Sequence, residues 1–162
     1  MSTEITPGRF RHVFGHLPTG VSILTALTPA GPTGMAANSV TSVSLDPPLI
    51  LCCPAKSSST WPSIRHVGRF CVNVMAGQHA EIARRFAKRD IDRFDGVVWD
   101  PRPGGPALRG AVAWIDCNIE QEHSAGDHTI VVARVTRMDL SDGGDPLVFF
   151  RGGYGTFRAS EA

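Results

Sequence analysis

Short apolar runs separated by glycine and proline constrain the fold of this chain more than any other feature of its sequence. The runs span residues 21–27, 34–45, 49–53, 70–75, 111–122, 129–140 and 147–150. They alternate or are rich in β-branched residues, as strands are, and turn-forming segments separate them. Because these strands do not alternate with helices, the pattern predicts a mostly β protein, an antiparallel barrel with peripheral α-helices.

Two amphipathic segments predict helices at the edge of this barrel. The first has an apolar residue at each helical repeat and ends before Pro18 and Gly20: Phe10, Val13, Phe14 and Leu17. The second covers residues 78–88 and has one apolar stripe: Ile82, Ala83, Phe86 and Ala87. We interpret the basic face of this second helix as a solvated surface.

Length and charge limit the classes of function. The chain has 162 residues, the size of one domain, which we place at 1–162 with its core at about 10–157. Its 16 basic and 15 acidic residues nearly balance, so we expect neither a nucleic-acid nor a membrane partner. The first ten residues lack the apolar core of a secretory signal, and no apolar run is long enough to cross a bilayer. We therefore expect a cytoplasmic protein.

The cysteines and histidines predict neither a disulfide framework nor a metal site. The four cysteines show no CxxC spacing, which favours buried thiols in a reducing compartment: Cys52, Cys53, Cys71 and Cys117. His12 and His16 lie four residues apart on the first predicted helix, as metal-binding pairs do, but no third ligand accompanies them. We predict no metal.

The hydroxyl-rich stretch from residue 34 to residue 60 is the strongest candidate for a binding site. Apolar and polar residues alternate from Val40 to Leu45, which predicts a half-buried strand. The polar residues here are unusually small: Asn38, Ser39, Thr41, Ser42 and Ser44. Small side chains let a flat ring approach the backbone closely, so that main-chain N–H groups recognise it.

A serine cluster follows and predicts an anion site. Asp46-Pro47-Pro48 ends the strand, a new apolar run follows to residue 53, and Pro54 closes that run. The next residues combine one cation with hydroxyls: Lys56, Ser57, Ser58, Ser59 and Thr60. Pro62 suits the first turn of a short helix that stops near Gly68, and the start of a helix attracts phosphate. The alternative reading is an ordinary turn or helix cap.

Several familiar catalytic and nucleotide-binding motifs do not occur. The chain contains no GxGxxG and no GxxxxGK, so a Rossmann nucleotide fold and a P-loop are disfavoured. It also contains no GxSxG, and no cysteine has a local catalytic signature. A bound nucleotide must therefore be held by other means.

Taken in order, the motifs of this chain resemble the flavin reductase family, the small FMN-binding split-barrel proteins. The similarity runs from Phe10 to about Tyr154. Its motifs are Thr19-Gly20-Val21, Gly34-Met35, Asn38-Ser39, Ser42-Val43-Ser44-Leu45-Asp46-Pro47-Pro48-Leu49, Phe70-Cys71-Val72-Asn73-Val74, Arg93-Phe94, Gly105-Pro106-Ala107-Leu108, Gly126-Asp127-His128, Pro146-Leu147 and Gly152-Gly153-Tyr154. Motifs spaced in this order are far more specific than any one alone.

The resemblance implies an enzyme, an NAD(P)H:flavin oxidoreductase. Such a protein reduces FMN or FAD by hydride transfer from NADH or NADPH and supplies reduced flavin to a partner monooxygenase. It also implies an antiparallel split β-barrel of Greek-key type and a homodimer with flavin near the subunit interface. The two nucleotides carry the chemistry, so the task of the protein is to bring the reacting atoms to about 3–3.5 Å.

The resemblance also implies which residues form the site. Donors aimed at the pyrimidine edge of the flavin would come from the backbone of Asn38, Ser39, Val40, Thr41 and Ser42. The remaining flavin contacts would be Ala37 and Cys53 to the ring and Lys56, Ser57, Ser59 and Thr60 to the phosphate. His128, after a Gly-Asp turn, is the leading side chain for positioning cofactor or substrate.

Three further positions have less definite roles. Tyr154, the only tyrosine, lies among glycines and either contacts the ligand or packs in the core. Phe94 follows the family pattern next to Arg93 and is included among the flavin contacts. The chain has Ala36 and Val40 where relatives often carry a hydroxyl and an aromatic residue, which predicts modest affinity for flavin.

Two other functions fit the same residues. One is a different split-barrel oxidoreductase, acting as an oxidase or using a deazaflavin or another tricyclic cofactor, since a fold does not fix a chemistry. The other is a flavin-binding or sensor protein without catalysis. Nicotinamide oxidation that depends strictly on added flavin separates a reductase from both. A barrel that recognises peptide or nucleic acid would need a basic and aromatic surface that this sequence lacks.

Overall fold

The computed structural model describes residues 3–160. The helices are α1 (Pro7–Phe14), α2 (Trp61–Val67) and α3 (Ala80–Ala87), and a 3-10 turn at Gly77–His79 precedes α3. The strands are β1 (Thr19–Gly20), β2 (Ser22–Thr28), β3 (Gly31–Ala37), β4 (Thr41–Leu45), β5 (Pro48–Cys52), β6 (Arg69–Val74), β7 (Trp99–Pro101), β8 (Pro106–Leu108), β9 (Ala113–Ala125), β10 (His128–Leu140), β11 (Leu147–Phe150) and β12 (Gly153–Thr156).

Seven strands form one antiparallel sheet in the order β3-β2-β6-β9-β10-β5-β4. A single apolar cluster contains buried side chains from β2, β5, β6, β9 and β10, with β3 packed against it. The sheet therefore curls around this cluster as a barrel. The predicted fold class, a mostly β antiparallel split barrel with peripheral helices, is confirmed.

The barrel is split between β3 and β4, and this opening positions the candidate site. In the part of the chain that the structure describes, β3 and β4 each pair on one side only and not with each other. The segment 38–40 links them across the opening. The sequence predicted one continuous run over 34–45, and the structure instead breaks it into two strands at this link.

Strand β4 is an edge strand, so its predicted half-burial is wrong. Val43 is 49% exposed and Leu45 is 96% exposed. A register shift between Ser42 and Ser44 also interrupts the alternation, because Val43 is an extra residue opposite β5. The apolar face of β4 points away from the barrel core.

The predicted N-terminal helix is present as α1, but it begins earlier than expected. Thr6 caps it by accepting a hydrogen bond at Oγ1 from the backbone N of Arg9 at 3.2 Å, and Pro7 occupies its first turn. Its apolar stripe is not buried: Phe10, Val13 and Phe14 are each more than half exposed. The amphipathic pattern of α1 thus marks an uncovered apolar face.

A second apolar cluster lies outside the barrel, beneath α3. Phe86 and Ala83 of α3 pack there with Ile23, Met75 and Leu147. The helix approaches β3 closely at residue 34, where an added Cβ would lie 2.9 Å from the Phe86 ring. Gly34 is therefore required by this helix–strand contact. Of the apolar stripe predicted for the second helix, Ile82, Ala83 and Phe86 cover this cluster, whereas Ala87 is exposed.

The short strands β7, β8, β1 and β12 have no clear periodicity and were not predicted from sequence. Buried polar groups hold β8 against the barrel. Asn73, on β6, donates through Nδ2 to the Thr25 Oγ1 at 3.0 Å, and its Oδ1 accepts from the N–H of Leu108 at 2.7 Å. Thr25 Oγ1 donates in turn to the Pro106 carbonyl at 2.6 Å. Tertiary hydrogen bonds, rather than local propensity, thus fix this part of the chain.

Candidate functional site

A cavity of about 420 Å³ lies at the barrel opening. It is formed by the end of β3, the segment after β5 and the first residue of β10. Five of the residues predicted from sequence line its wall: Ala37, Asn38, Ser39, Cys53 and His128. The structure therefore brings the predicted ring-binding residues and the predicted positioning histidine into one cavity, which we call the ring cavity.

The backbone at the opening has hydrogen-bond donors to spare. Within the described residues, the N–H groups of Asn38, Ser39 and Val40 make no bond to another backbone carbonyl. The Ser39 hydroxyl accepts from the N–H of Cys53 at 2.8 Å, which ties the link to the segment after β5. The opening thus offers fixed main-chain donors to a ligand, as expected for recognition of a flat polar ring edge.

Three further predicted site residues do not line the ring cavity: Val40, Thr41 and Ser42. Val40 packs against the barrel core. Thr41 and Ser42 continue along β4 opposite Leu51 and Ile50 of β5, with exposed side chains. Their assignment to the flavin remains a prediction.

A second, smaller cavity of about 220 Å³ adjoins the ring cavity, and we call it the phosphate groove. The two share Met35, Ala36 and Ala55 as a common wall. The groove contains three of the predicted phosphate residues and two cations: Ser57, Ser59, Thr60, Arg89 and Arg93. Hydroxyls and guanidinium groups at the end of a small apolar cavity are a suitable site for a phosphate.

Arg93 is a fixed part of this groove. Its Nη1 donates to the Thr60 Oγ1 at 2.6 Å and to the Gly34 carbonyl at 2.7 Å. Because a hydroxyl accepts and donates at once, Thr60 retains its own proton for a ligand oxygen. Burial, and then the nearby positive charge of Arg89, lower the pKa of Arg93. An anion between the two guanidinium groups would relieve that repulsion.

Arg89 was missed at the level of sequence. It lies two residues beyond the end of α3, after the extended Lys88, and its Nη2 lies 3.5 Å from the Ser57 carbonyl. Only the quoted Arg93-Phe94 motif indicated that this region contributes to the site. Met35 and Ala36 were also missed as lining residues, although they flank the predicted Ala37.

The start of α2 does not provide the free donors that the sequence predicted. The Trp61 N–H donates to the Ser58 Oγ at 3.0 Å, and the Ser63 N–H donates to the Thr60 carbonyl at 3.1 Å. Pro62 has no N–H. The first turn of this seven-residue helix is thus already satisfied within the protein. Loop hydroxyls and arginines, rather than the helix start, form the phosphate groove.

Lys56 lies on the other side of the loop from the phosphate groove. Its Nζ donates to the Ser124 Oγ, on β9, at 2.6 Å. It lines a separate cavity with Trp61 and Arg65 and is not among the residues that line the groove. Its role as a phosphate contact remains a prediction, and the cation in the groove nearest to the predicted serines is Arg89.

His128 is held in the wall of the ring cavity by its neighbours on both sides. Its Nδ1 lies 2.7 Å from the Asp127 Oδ1, and its backbone pairs with Ala55. The hydrogen bond from His128 holds the pKa of Asp127 below its ordinary value. The Lys56 N–H also donates to the Asp127 carbonyl at 2.9 Å. The loop beyond β5 and the β9–β10 turn therefore form one unit that positions the imidazole.

Two predicted aromatic contacts lie elsewhere. Tyr154, on β12, packs edge-on against Phe149 at 5.4 Å between ring centroids, beneath the Arg84 guanidinium, and lines a different cavity from His128. Phe94 packs edge-on against Phe86 at 5.0 Å and borders a small cavity beside Thr60. The structure does not bring Tyr154 together with the other predicted residues.

The four cysteines are free and differ in access. Burial raises the pKa of Cys52 to about 12 and that of Cys71 to about 12. Burial also raises the pKa of Cys117. Cys53 is partly exposed in the ring cavity. Because the thiolate is the reactive form, the three buried thiols are protected against alkylation in the folded protein.

We therefore expect one cysteine of the native protein to react with a maleimide, and we expect FMN to slow that reaction. Mass spectrometry of the labelled protein, with and without saturating FMN, measures both effects. The Cys53→Ser variant is the matched control and should incorporate essentially no label. Equal labelling of two or more cysteines, or an unchanged rate with FMN, would contradict the placement of the ring in this cavity.

Other features of the described residues bear on metals and membranes. His12 and His16 lie together on α1, with ring centroids 5.1 Å apart, and the His16 Nδ1 lies 2.8 Å from the His12 carbonyl. Within residues 3–160, no three histidine, cysteine or acidic side chains are grouped as metal ligands would be. In the same part of the chain, no helix has the length and apolar character needed to cross a membrane.

A split barrel with main-chain donors at its opening and arginines beyond it defines a class, the small barrels that bind a flavin nucleotide. The family model described as "Flavin reductase like domain" matches residues 14–158. The chain belongs to this family, and the family recognised from its motifs is confirmed.

Relatives and solved structures agree with this assignment. A flavin reductase of Pseudomonas putida is 46% identical over 97% of this chain and 94% of its own length. The reductase subunit of a flavin-dependent monooxygenase from Rhodococcus jostii is 43% identical over 93% of this chain and 77% of its own. The NADH:FAD oxidoreductase of Streptomyces globisporus, solved with NAD and FAD fragments, has a TM-score of 0.89 and 34% identity, covering 97% of this chain and 98% of its own.

Proposed function

We propose that this chain is an NADH-dependent flavin reductase that supplies reduced flavin to a partner monooxygenase. One observation carries the proposal: the ring cavity and the phosphate groove adjoin each other, sharing Met35, Ala36 and Ala55, and each carries groups suited to one part of a flavin nucleotide. Among the described residues, main-chain donors that bond to no backbone carbonyl lie beside the ring cavity, and two guanidinium groups with serine hydroxyls line the groove. The relatives named above supply the reaction class and the nicotinamide.

The residues fit a flavin nucleotide in size and in chemistry. The ring cavity is lined by small side chains, among them Ala36, Ala37 and Ser39. Its volume of about 420 Å³ is typical of small-molecule sites, roughly 300–1,000 Å³. The adjoining groove contains Arg89, beside Ser57. A flat ring and an anionic tail therefore find matching surroundings in the two neighbouring cavities.

Reduced nicotinamide and flavin supply the hydride chemistry, and the protein supplies binding and orientation. The N–H groups of residues 38–40 would donate to the ring edge, where negative charge develops on reduction. Arg89 and Arg93 would hold the anionic tail. His128 lines the ring cavity with a partly exposed side chain, its bond to Asp127 fixes the imidazole, and it would contact a second ring that enters there.

Steady-state kinetics with the purified protein tests this function. We expect oxidation of NADH only when FMN, FAD or riboflavin is added, with the flavin reduced in equal amount. Oxidation without added flavin by colourless protein would contradict the proposal, and so would flavin binding without any turnover. The second result would favour a sensor, and turnover with a deazaflavin alone would favour a different split-barrel oxidoreductase.

We further propose a homodimer, supported by the apolar surface that one subunit leaves uncovered. Phe10, Val13 and Phe14 of α1 and Leu45 of β4 are about half exposed or more. Exposed apolar patches such as the face of α1 often mark an interaction site. Light scattering should give about twice the chain mass of 17.4 kDa, and a value near one chain mass would contradict the dimer.

The cytoplasm is the compartment that we propose for this activity. All four cysteines are free, as they remain in a reducing environment. Fractionation of cells that express the tagged chain tests this proposal, and recovery of the protein outside the cytoplasm would contradict it.

A further inference from the structure

A third cavity, of about 420 Å³, lies on the far side of the loop that forms the phosphate groove. It shares Ala55 and Ser58 with that groove, so the loop from residue 55 to residue 58 is a common wall. Ser57, on this loop, is exposed and lines the groove side. The third cavity thus adjoins the phosphate groove across this loop.

The side chains of this cavity differ in character from those of the ring cavity. Lys56 and Arg65 provide two cations. Glu122 accepts hydrogen bonds at Oε1 from the Arg65 Nε at 3.0 Å and from the Trp61 Nε1 at 3.1 Å. Lys56 donates to the Ser124 Oγ. The cavity therefore presents cations for a phosphate together with a fixed carboxylate and a hydroxyl as acceptors for amine or hydroxyl groups.

We propose that this cavity binds the adenosine phosphate half of FAD, so that FAD straddles the loop from residue 55 to residue 58. The inference rests on the proposed function, which places the flavin phosphate in the groove. A dinucleotide adds a second phosphate directly to the first, and Lys56 is the cation directly next to Ser57 in the wall. FMN, which ends at its single phosphate, does not reach this cavity.

This assignment gives Lys56 a role that agrees with the position of its ammonium group. The sequence predicted that Lys56 contacts the flavin phosphate, whereas its ammonium group lies on the opposite side of the loop. It is positioned for the second phosphate instead of the first. Arg65 lines the same cavity, 52% exposed at its side chain and paired to Glu122. The chain therefore favours FAD over FMN by contacts that only FAD makes.

Three arginine variants with the same change in charge test the inference. Arg65→Glu alters the third cavity, Arg89→Glu alters the phosphate groove, and Arg69→Glu, at the start of β6, lines none of the three cavities. Flavin fluorescence gives Kd for FMN and for FAD. Loss of a charged contact should raise the Kd of FAD about tenfold or more in Arg65→Glu and change that of FMN less than about twofold.

The other two variants locate the effect. Arg89→Glu should weaken both flavins, and Arg69→Glu should weaken neither. Ser124→Tyr fills the third cavity from its opposite wall without a change in charge and should repeat the selective loss of FAD affinity. Equal changes for FMN and FAD in Arg65→Glu and Ser124→Tyr would overturn the inference. Failure of the wild-type protein to reduce any flavin with NADH would instead overturn the proposed function.

AMP serves as a direct probe, because it carries the adenosine and the one phosphate that the inference assigns to the third cavity. We expect AMP to compete with FAD and to leave the Kd of FMN unchanged. NADH also carries an adenosine phosphate and is the alternative occupant. With FMN as acceptor, the KM of NADH should be the same in Arg65→Glu and in the wild type. A rise in that KM, with FAD affinity unchanged, would assign the cavity to the nicotinamide nucleotide and overturn the inference.

Discussion

Replacing Asp116 with alanine is expected to lower the free energy of unfolding by about 3–5 kcal/mol, the usual cost of breaking a buried ion pair. The Asp116 carboxylate is fully buried on β9. It accepts from the Arg102 Nε at 2.9 Å and from the Gly104 N–H at 3.0 Å. Its removal leaves the Arg102 guanidinium, only 11% exposed, without this partner in the protein interior.

The loss should be structural, because Asp116 secures a connection distant from the ring cavity. Gly104 lies so close that an added Cβ would stand 2.5 Å from the Phe70 carbonyl and 2.7 Å from the Asp116 Oδ1. The segment between β7 and β8 therefore follows the barrel surface only while the carboxylate receives both donors. Urea unfolding monitored by circular dichroism measures the effect.

Asp139→Ala is the matched control for Asp116→Ala. Asp139 also pairs with Arg102, at 2.7 Å, but its side chain is 44% exposed. Water screens such a pair and replaces its hydrogen bond, so the variant should lose much less stability. Equal losses in the two variants would contradict the role assigned to the buried carboxylate. Asp116→Asn keeps an acceptor for Gly104 and should fall between them.

The strands of the barrel were predictable because their signal is local. Residues that alternate or are continuously apolar gave β2, β5, β6, β9 and β10 to within a few residues, and these strands bury side chains in one core cluster. Strands β7 and β8 have three residues each. They are held in place because Asn73 binds Leu108 of β8 and Asp116 binds Gly104, in the connection between the two strands. Sequence periodicity carries no information about such long-range hydrogen bonds.

Exposure was less predictable than secondary structure. The alternation in β4 and the stripe of α1 indicated burial, and both faces are open to solvent in one subunit. An amphipathic pattern specifies that an apolar face needs a partner, but it does not say whether the same subunit provides it. The pattern therefore predicted the strand and the helix, but it wrongly predicted that their apolar faces are buried within one subunit.

Within the site, prediction succeeded for residues that the backbone places in the cavity wall, and it failed where the conformation of a long side chain sets the position of a charged group. Ala37, Asn38, Ser39 and Cys53 line the ring cavity because the ends of β3 and β5 place them there. The ammonium group of Lys56, next in sequence to the predicted serines, lies across the loop from them. The sequence position of a long, flexible side chain does not determine where its charged group lies.

Replacing His128 with alanine is expected to lower kcat/KM for NADH by about 10–100-fold, while the Kd for flavin changes less than about threefold. The imidazole lies at the wall of the ring cavity, held at its Nδ1 by Asp127 at 2.7 Å, and is 46% exposed at its side chain. We expect the imidazole to contact an entering nicotinamide more than it contacts the flavin ring. Small errors in the position of the two rings slow hydride transfer steeply.

His123→Ala is the control for His128→Ala, because it removes the same side chain from the same β9–β10 hairpin. His123 is exposed, its Nε2 lies 3.1 Å from the Gln121 Oε1, and it lines neither the ring cavity nor the phosphate groove. Stopped-flow mixing of flavin-loaded protein with NADH separates hydride transfer from flavin binding. If His128→Ala transfers hydride at the wild-type rate, or loses flavin affinity as strongly as turnover, the imidazole does not position the nicotinamide.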